Sequence, residues 1–415
     1  MKRSLKWPVA IAVAVVLIAA NLRAPLTSVS PVLEAMSGKL GMPHAVAGMV
    51  TTLPLLAFAV FSVLAPLLAR HCGMERTLLA ALLLIAAGLF MRPWSGVGIL
   101  LFGTGVGGIG IAVCNVLLPA LIKREFPQRL GLMTGVFTVS MNLTGAVAAA
   151  ASIPLSRTLG WGWEWTLALW GLPAVLAASY WAVYMKRQPV QAERGPAAAA
   201  AAGGTSALWR HRLAWQMTLY IGIQSFLFFV IMAWLPDIAS ERGIDAGTAG
   251  VMVSMMQFAG LPLNFIMPLL AARVRDQRWL AAANGGLFGL AVLLLFLDDA
   301  VWLGLGAALI GIGGGSSFSL SIMFFNLRTH TAGQAAEISG MAQSFGYLLA
   351  CTGPALFGWL HDRSGGWNVP LFLLGGFVVV FVWAGWGAGR DGKLPAPEAA
   401  ARMESRSAEQ SVSQS

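Results

Sequence analysis

Arg23 stands near the middle of an apolar stretch running from about residue 8 to 37, in Asn21-Leu22-Arg23-Ala24-Pro25-Leu26-Thr27-Ser28-Val29. A guanidinium at the centre of a bilayer-length segment costs at least about 2.5 kcal/mol, so the sequence has to offset it. On the same stretch the nearest carboxylate is Glu34, about 16 Å away along a helix, and no Asp or Glu falls in the middle third of any other long apolar stretch. What remains is recognition chemistry: planar donors facing a cavity and holding an anionic or strongly polar solute. The structural alternative is that Arg23 serves backbone carbonyls freed by Pro25.

Other polar groups lie inside apolar stretches that can line the same cavity. They are Asn21, Asn115 and Asn142 in the first half of the chain, and Gln224, Gln257, Gln343 and Tyr347 in the second. Amides bind a polar solute without demanding a proton. Gln343 and Tyr347, four apart, share a helix face. Each amide can equally serve as an interhelical hydrogen bond worth under about 1 kcal/mol. With Arg23 they form the expected substrate-binding set.

Enzymatic and cofactor chemistries find little support. The five His (His44, His71, His211, His330 and His361) fall at loops or helix ends with no zinc-pair spacing, and Cys72, Cys114 and Cys351 are isolated from one another. Gly103, Gly105, Gly107, Gly108 and Gly110 resemble a nucleotide-binding run, yet no strand precedes them and no Lys-Ser/Thr follows. Close helix packing accounts for them better. The chain is therefore expected to be neither an enzyme nor a binder of metal or cofactor.

The elements that position these residues follow from composition. Of 415 residues 57% are hydrophobic and only 11% charged, against about a quarter charged in soluble domains, so an all-α integral membrane protein is expected. A hydrocarbon core about 30 Å thick takes roughly 20 residues per helix. The sequence supplies twelve such stretches, at 8–37, 45–69, 77–93, 97–122, 130–155, 164–185, 213–237, 247–271, 279–297, 301–326, 335–360 and 367–388. Most Lys and Arg fall in the loops on the side of the two termini. Only Lys39, Arg92, Arg157, Arg242 and Arg363 fall on the other, which predicts cytoplasmic termini in an inner membrane. The net charge of +10 is thereby explained without nucleic acid.

The halves repeat. Ala47, Gly48 and Pro66 recur as Ala249, Gly250 and Pro268 at an offset of 202; Gly108-Ile109-Gly110 recurs as Gly311-Ile312-Gly313 at 203. Collinear matches at nearly constant offset imply two parallel six-helix repeats around a central cavity, the architecture of alternating access. The expected division is a bundle at 1–185, a cytoplasmic linker at 186–212, a second bundle at 213–388 and a disordered tail at 389–415. The lipid bilayer, a small-molecule solute and protons are the expected partners of a monomer. Proton-driven transport commonly uses an intramembrane carboxylate, and Glu34 and Asp237, near outer helix ends, are the candidates here.

This pattern resembles the major facilitator superfamily. Arg70-His71-Cys72-Gly73-Met74-Glu75-Arg76 is similar to its gating loop, with Arg70 where an Asp is usual. Asp276 is the carboxylate available in the matching second-half loop, so Arg70, Gly73, Arg76 and Asp276 are the implied gating residues. More closely, the segment around Arg23, Leu117-Leu118-Pro119 with Ile122-Lys123-Arg124, and Ser339-Gly340-Met341-Ala342-Gln343-Ser344 resemble the cyanate and 2-nitroimidazole transporter family. The resemblance implies secondary transport of a small polar or anionic solute, a cyanate-like anion being one candidate. Efflux of a neutral nitroimidazole or drug-like compound is an alternative, and a membrane sensor or assembly protein that has lost transport is another.

Overall fold

The computed structural model describes residues 6–94, 96–187 and 205–396. Among them every regular element is helical, and ten stretches are long and apolar enough to cross a membrane. Two further helices complete the twelve expected spans: Arg278–Leu294, which is short, and Ala332–Ser364, which carries too many polar residues to stand out by hydropathy. The others are Lys6–Leu40, His44–Cys72, Met74–Met91, Val97–Glu125, Leu130–Thr158, Gly162–Arg187, Arg212–Glu241, Ala246–Arg273, Ala300–Leu327 and Asn368–Ala388. They are numbered here as spans 1 to 12 in chain order.

The first span is not the continuous helix expected over 8–37. It consists of Lys6–Ala20, a break at 21–23, then Ala24–Thr27, Ser30–Val32 and Leu33–Leu40. The cause is local. Pro25 and Pro31 each lack an N–H and crowd the carbonyl four residues back, so the ladder tightens, with Asn21 and Leu22 donating to the carbonyls of Ile18 and Ala19. In a membrane the released carbonyls need other donors, and side chains supply them. Asn21 Nδ2 donates to Leu17 O at 2.7 Å, Ser152 Oγ to Ser28 O at 3.0 Å, and Arg92 Nη1 to Pro25 O at 2.9 Å.

Glycines bring the helices into contact within each half. A Cβ on Gly311 would lie 1.8 Å from the Met256 carbonyl, and one on Gly88 2.4 Å from Gly107 N. Between the halves the contacts gather on the side that carries the linker. A Cβ on Gly340 of span 11 would lie 2.5 Å from Ser62 O of span 2, and one on Gly131 of span 5 would lie 2.6 Å from Pro268 O of span 8. On the opposite side spans 1, 2, 7 and 11 diverge around a cavity.

Two expectations outside the spans change. The end of the linker is a short helix, Thr205–Arg210, whose Trp209 meets Phe345 edge-on at 5.3 Å, while 188–204 lies outside the described residues. Of the tail expected to be disordered from 389, the first eight residues, 389–396, are described, and they are anchored at Gly389 and Leu394 with 390–393 exposed between them. Leu394 is buried there, its N–H donates to Arg328 O at 2.8 Å, and Gln334 Nε2 donates to Pro395 O at 2.8 Å. This strap covers the linker-side ends of spans 10 and 11. Residues 397–415 lie outside the described residues.

Candidate functional site

Arg23 caps the short helix after the break, with φ −117° and ψ −38°. Its stem passes over Gly145 of span 5, where a Cβ would come within 2.6 Å of Arg23 Cγ; only glycine leaves that room. The guanidinium makes no hydrogen bond or ion pair to any described residue, and its carbon lies 5.7 Å from the ring centre of Phe228 across the gap between the halves. Arg23 borders two connected spaces.

The larger, of about 500 Å³, is open on the side away from the linker. Its walls are mostly apolar and aromatic, with Phe58, Phe229, Phe318 and Tyr347, and its polar lining includes Arg23, Arg92, Asn115 and Gln257. Phe58 and Tyr347, one from each half, lie 4.9 Å apart centre to centre. The smaller space, of about 50 Å³, is more polar than the larger one, with Arg23, Asn142, Gln224, Ser225, Gln257 and Asn264 bordering it beside Phe228, Phe229 and Phe318. Its amides are partly committed: Asn142 Nδ2 donates to Thr138 O at 2.8 Å and Gln224 Nε2 to Ser225 Oγ at 2.7 Å, which leaves both amide oxygens free of these bonds. Thr138 Oγ1 and Ser319 Oγ both donate to Asn264 O, at 2.7 and 3.1 Å, tying the two halves at this depth.

Six of the eight residues expected to bind solute therefore border one of the two spaces: Arg23, Asn115, Asn142, Gln224, Gln257 and Tyr347. Asn21 and Gln343 do not. Asn21 points away, donating to Leu17 O and, at 3.3 Å, to Pro173 O of span 6. Gln343 donates to Ser339 Oγ at 2.8 Å and to Asn115 O at 3.3 Å across the interface, so it joins the closed end. No metal-binding group of His, Cys, Asp and Glu occurs among the described residues. Asp237 is exposed, and the side chain of Glu34 lies outside the described residues.

The linker-side closure has its own polar contacts. Arg70 pairs with Glu337 of span 11, Ser344 Oγ donates to Ala59 O, and Lys123 Nζ donates to Asn326 O at 2.7 Å and Thr329 O at 2.6 Å as well as to the Thr329 hydroxyl. Gly73, at φ +88°, makes the turn between spans 2 and 3, where an L side chain would be strained, and Arg76 is exposed. Asp276 does not join Arg70. It accepts the N–H of Arg278 at 3.0 Å and pairs with its Nε at 3.3 Å, serving its own loop. Burial pushes the nearby Arg328 guanidinium down from its ordinary range, against the opposing pull of Asp391 and Asp276.

Sequence reasoning missed four contributors. Arg92 was placed in an outer loop, but its long side chain folds back into the cavity. Lys123 and Glu337 sit at apolar-stretch ends, where charge is ordinary, and only the fold shows that they cross between halves. Gly145 resembles any other small residue of a packed helix.

The sequence pattern of the Major Facilitator Superfamily matches residues 9–351. The chain is 43% identical over 382 residues to "Uncharacterized transporter YycB" of Bacillus subtilis, covering 91% of this chain and 92% of the relative. It is 38% identical to the "2-nitroimidazole transporter" of Escherichia coli, with 92% and 95% covered, and 28% identical to the "Cyanate transport protein CynX" of the same organism, with 84% and 89% covered. Among solved structures, the proton:xylose symporter XylE superposes with a TM-score of 0.72 at 13% identity, with 97% and 100% covered.

Proposed function

Since the chain belongs to the Major Facilitator Superfamily and so is a multi-pass membrane transporter of a small solute, we propose that its solute is a small planar molecule with an anionic or strongly electron-rich end, bound by Arg23 at the meeting of the two halves. The observation that carries this reading is the Arg23 guanidinium, without a hydrogen bond or ion pair to any described residue, at the border of a cavity walled by aromatic rings. Guanidinium donors match carboxylate- or nitro-type oxygens in a planar fork, while aromatic walls favour a flat π-system. The solutes for which two relatives are named, 2-nitroimidazole and cyanate, are planar or linear and present hydrogen-bond acceptor atoms. A cavity of about 500 Å³ suits the ring compound better than a triatomic ion. The amide oxygens of the small polar space would accept ring N–H or hydroxyl donors from the same solute.

In this reading the linker side faces the cytoplasm, as the distribution of Lys and Arg favours, so the arrangement described is outward-open with the inner gate closed. Alternating access then requires the linker-side contacts to separate while the outer walls close on the solute. No carboxylate lines either space among the described residues.

Flux into proteoliposomes tests the proposal and separates a transporter from a sensor that kept the fold. With benzoate as probe, Arg23→Gln should reduce uptake at least about tenfold, because a hydrogen bond to a charged group is worth about 1.5–3 kcal/mol. Arg23→Lys should restore part of it, since an ammonium lacks the planar fork. Wild-type uptake by Arg23→Gln protein would reject Arg23 as the solute contact.

A further inference from the structure

We propose that Arg92 is a second anion-binding residue of the same cavity, so that the preferred solutes carry electron-rich groups at both ends of a planar body. The inference rests on the reading of Arg23 given above and extends it to the substrate class.

Arg92 follows the last turn of span 3, at the end of the molecule away from the linker, where a charged side chain would ordinarily turn to water. Instead it is buried, 1% exposed, and it borders the large cavity together with Arg23. A guanidinium has five N–H donors. One hydrogen bond is in place, from Nη1 to Pro25 O at 2.9 Å, and the Nε is buried without a partner. The cavity lining contains two arginines and, among the described residues, no Asp or Glu. Two like charges in a site of low dielectric repel each other and are each poorly solvated. An acceptor group placed at each relieves both penalties, whereas a solute with a single charged end relieves one.

The contact with Pro25 offers a competing account, in which Arg92 only props the broken segment of span 1. That task takes one of the five donors, and it leaves Nε buried and unused. It also predicts a different response to mutation. A prop supports Arg23 whatever the solute, so its loss weakens every solute alike. A binding residue is felt only by solutes long enough to present a second acceptor.

Isothermal titration calorimetry on purified wild-type, Arg92→Gln, Arg92→Lys and Arg23→Gln proteins separates these accounts, with benzoate as the one-ended probe and terephthalate as the two-ended one. Wild type should bind terephthalate at least about tenfold more tightly than benzoate, as expected for one added charge-assisted contact. Arg92→Gln should remove that preference, weakening terephthalate at least about tenfold more than benzoate, because only the longer probe loses a charge-assisted bond. Arg92→Lys should keep part of the preference. Equal weakening of both probes in Arg92→Gln would overturn the proposal in favour of the prop. Absence of a terephthalate preference in wild type would overturn it without need of any variant, as would absence of binding by both probes. Arg23→Gln reports on the underlying reading alone: it should weaken both probes, and unchanged benzoate binding there would count against Arg23, not against Arg92.

Discussion

With the proposed orientation, in which the linker side faces the cytoplasm, Lys123→Met should move the transporter away from the outward-open state. The ammonium crosses from span 4 to the end of span 10 and donates to two carbonyls, of Asn326 at 2.7 Å and Thr329 at 2.6 Å, and to the Thr329 hydroxyl. It thereby sits at the negative end of the span 10 helix, where a cation is favoured. Hydrogen bonds to a charged group contribute about 1.5–3 kcal/mol. When the inner gate opens, water replaces these partners, so the whole cluster is taken at that value and not at three times it. Every 1.4 kcal/mol is tenfold in an equilibrium, which makes the loss about 10- to 150-fold in the ratio of outward to inward forms. From a starting ratio of about 10:1, the outward fraction would fall from about nine-tenths to between about a half and a fifteenth.

A native thiol reads that fraction. Cys351 borders the outer cavity and is partly exposed, Cys114 is buried, and Cys72 is exposed on the linker side. In a Cys72→Ser background, a membrane-impermeant methanethiosulfonate added from outside should modify Cys351 about 2- to 15-fold more slowly in Lys123→Met than in the parent, in proportion to the outward population. Lys123→Arg should stay near the parent rate. Equal rates for Lys123→Met and its parent would refute the view that this contact holds the gate.

Gly145→Ala should lower solute affinity without unfolding the protein, because the added methyl meets the Arg23 stem at 2.6 Å; wild-type affinity in titrations would refute it. Two glycines should respond differently to alanine. Gly311→Ala strains a contact within one half, 1.8 Å from Met256 O, and should reduce thermal stability by about 1–3 kcal/mol, while Gly340→Ala strains the closed gate against Ser62 O and should chiefly slow Cys351 labelling. Asp245 accepts the hydroxyl of Thr248 at 2.6 Å and its N–H at 3.0 Å, and these bonds, the hydroxyl first, hold its carboxyl below the usual range. A carboxyl lowered on folding adds stability that is present above the unfolded pKa and is lost as pH falls through the lowered one. Asp245→Ala should therefore melt earlier than wild type at neutral pH and converge with it as pH falls through that lowered pKa.

Much of the architecture was legible because burial in lipid imposes long apolar runs and because Gly and Pro positions recur between the two halves at a nearly constant offset. Arg23 was legible for a related reason: a lone guanidinium in such a run has no ordinary explanation. Other features were hidden by the same signals. Hydropathy reports that residues 8–37 are apolar, not that the helix is continuous, so the break at 21–23 had only Pro25 and Pro31 as its trace. Arg92 ends an apolar run, and its side chain is long enough to return inside from a position that reads as a loop. Asn21 and Gln343 have the same amide chemistry as Asn142 and Gln224, and rotation about the helix axis alone sends them to backbone carbonyls of spans 1, 6 and 4 instead of the cavity.

The strap at 389–396 bears on how the molecule is made. Leu394 donates to Arg328 O and Gln334 holds Pro395 O, so the segment braces the turn at 326–329 that receives Lys123. In order of synthesis the strap follows all twelve spans, whereas Lys123 emerges with the fourth. The span 10 groups that Lys123 meets, and the strap that braces them, are therefore synthesised after the first half. The inner seal is completed as a late event of assembly, after the second bundle has been inserted and its final turn has been tied down.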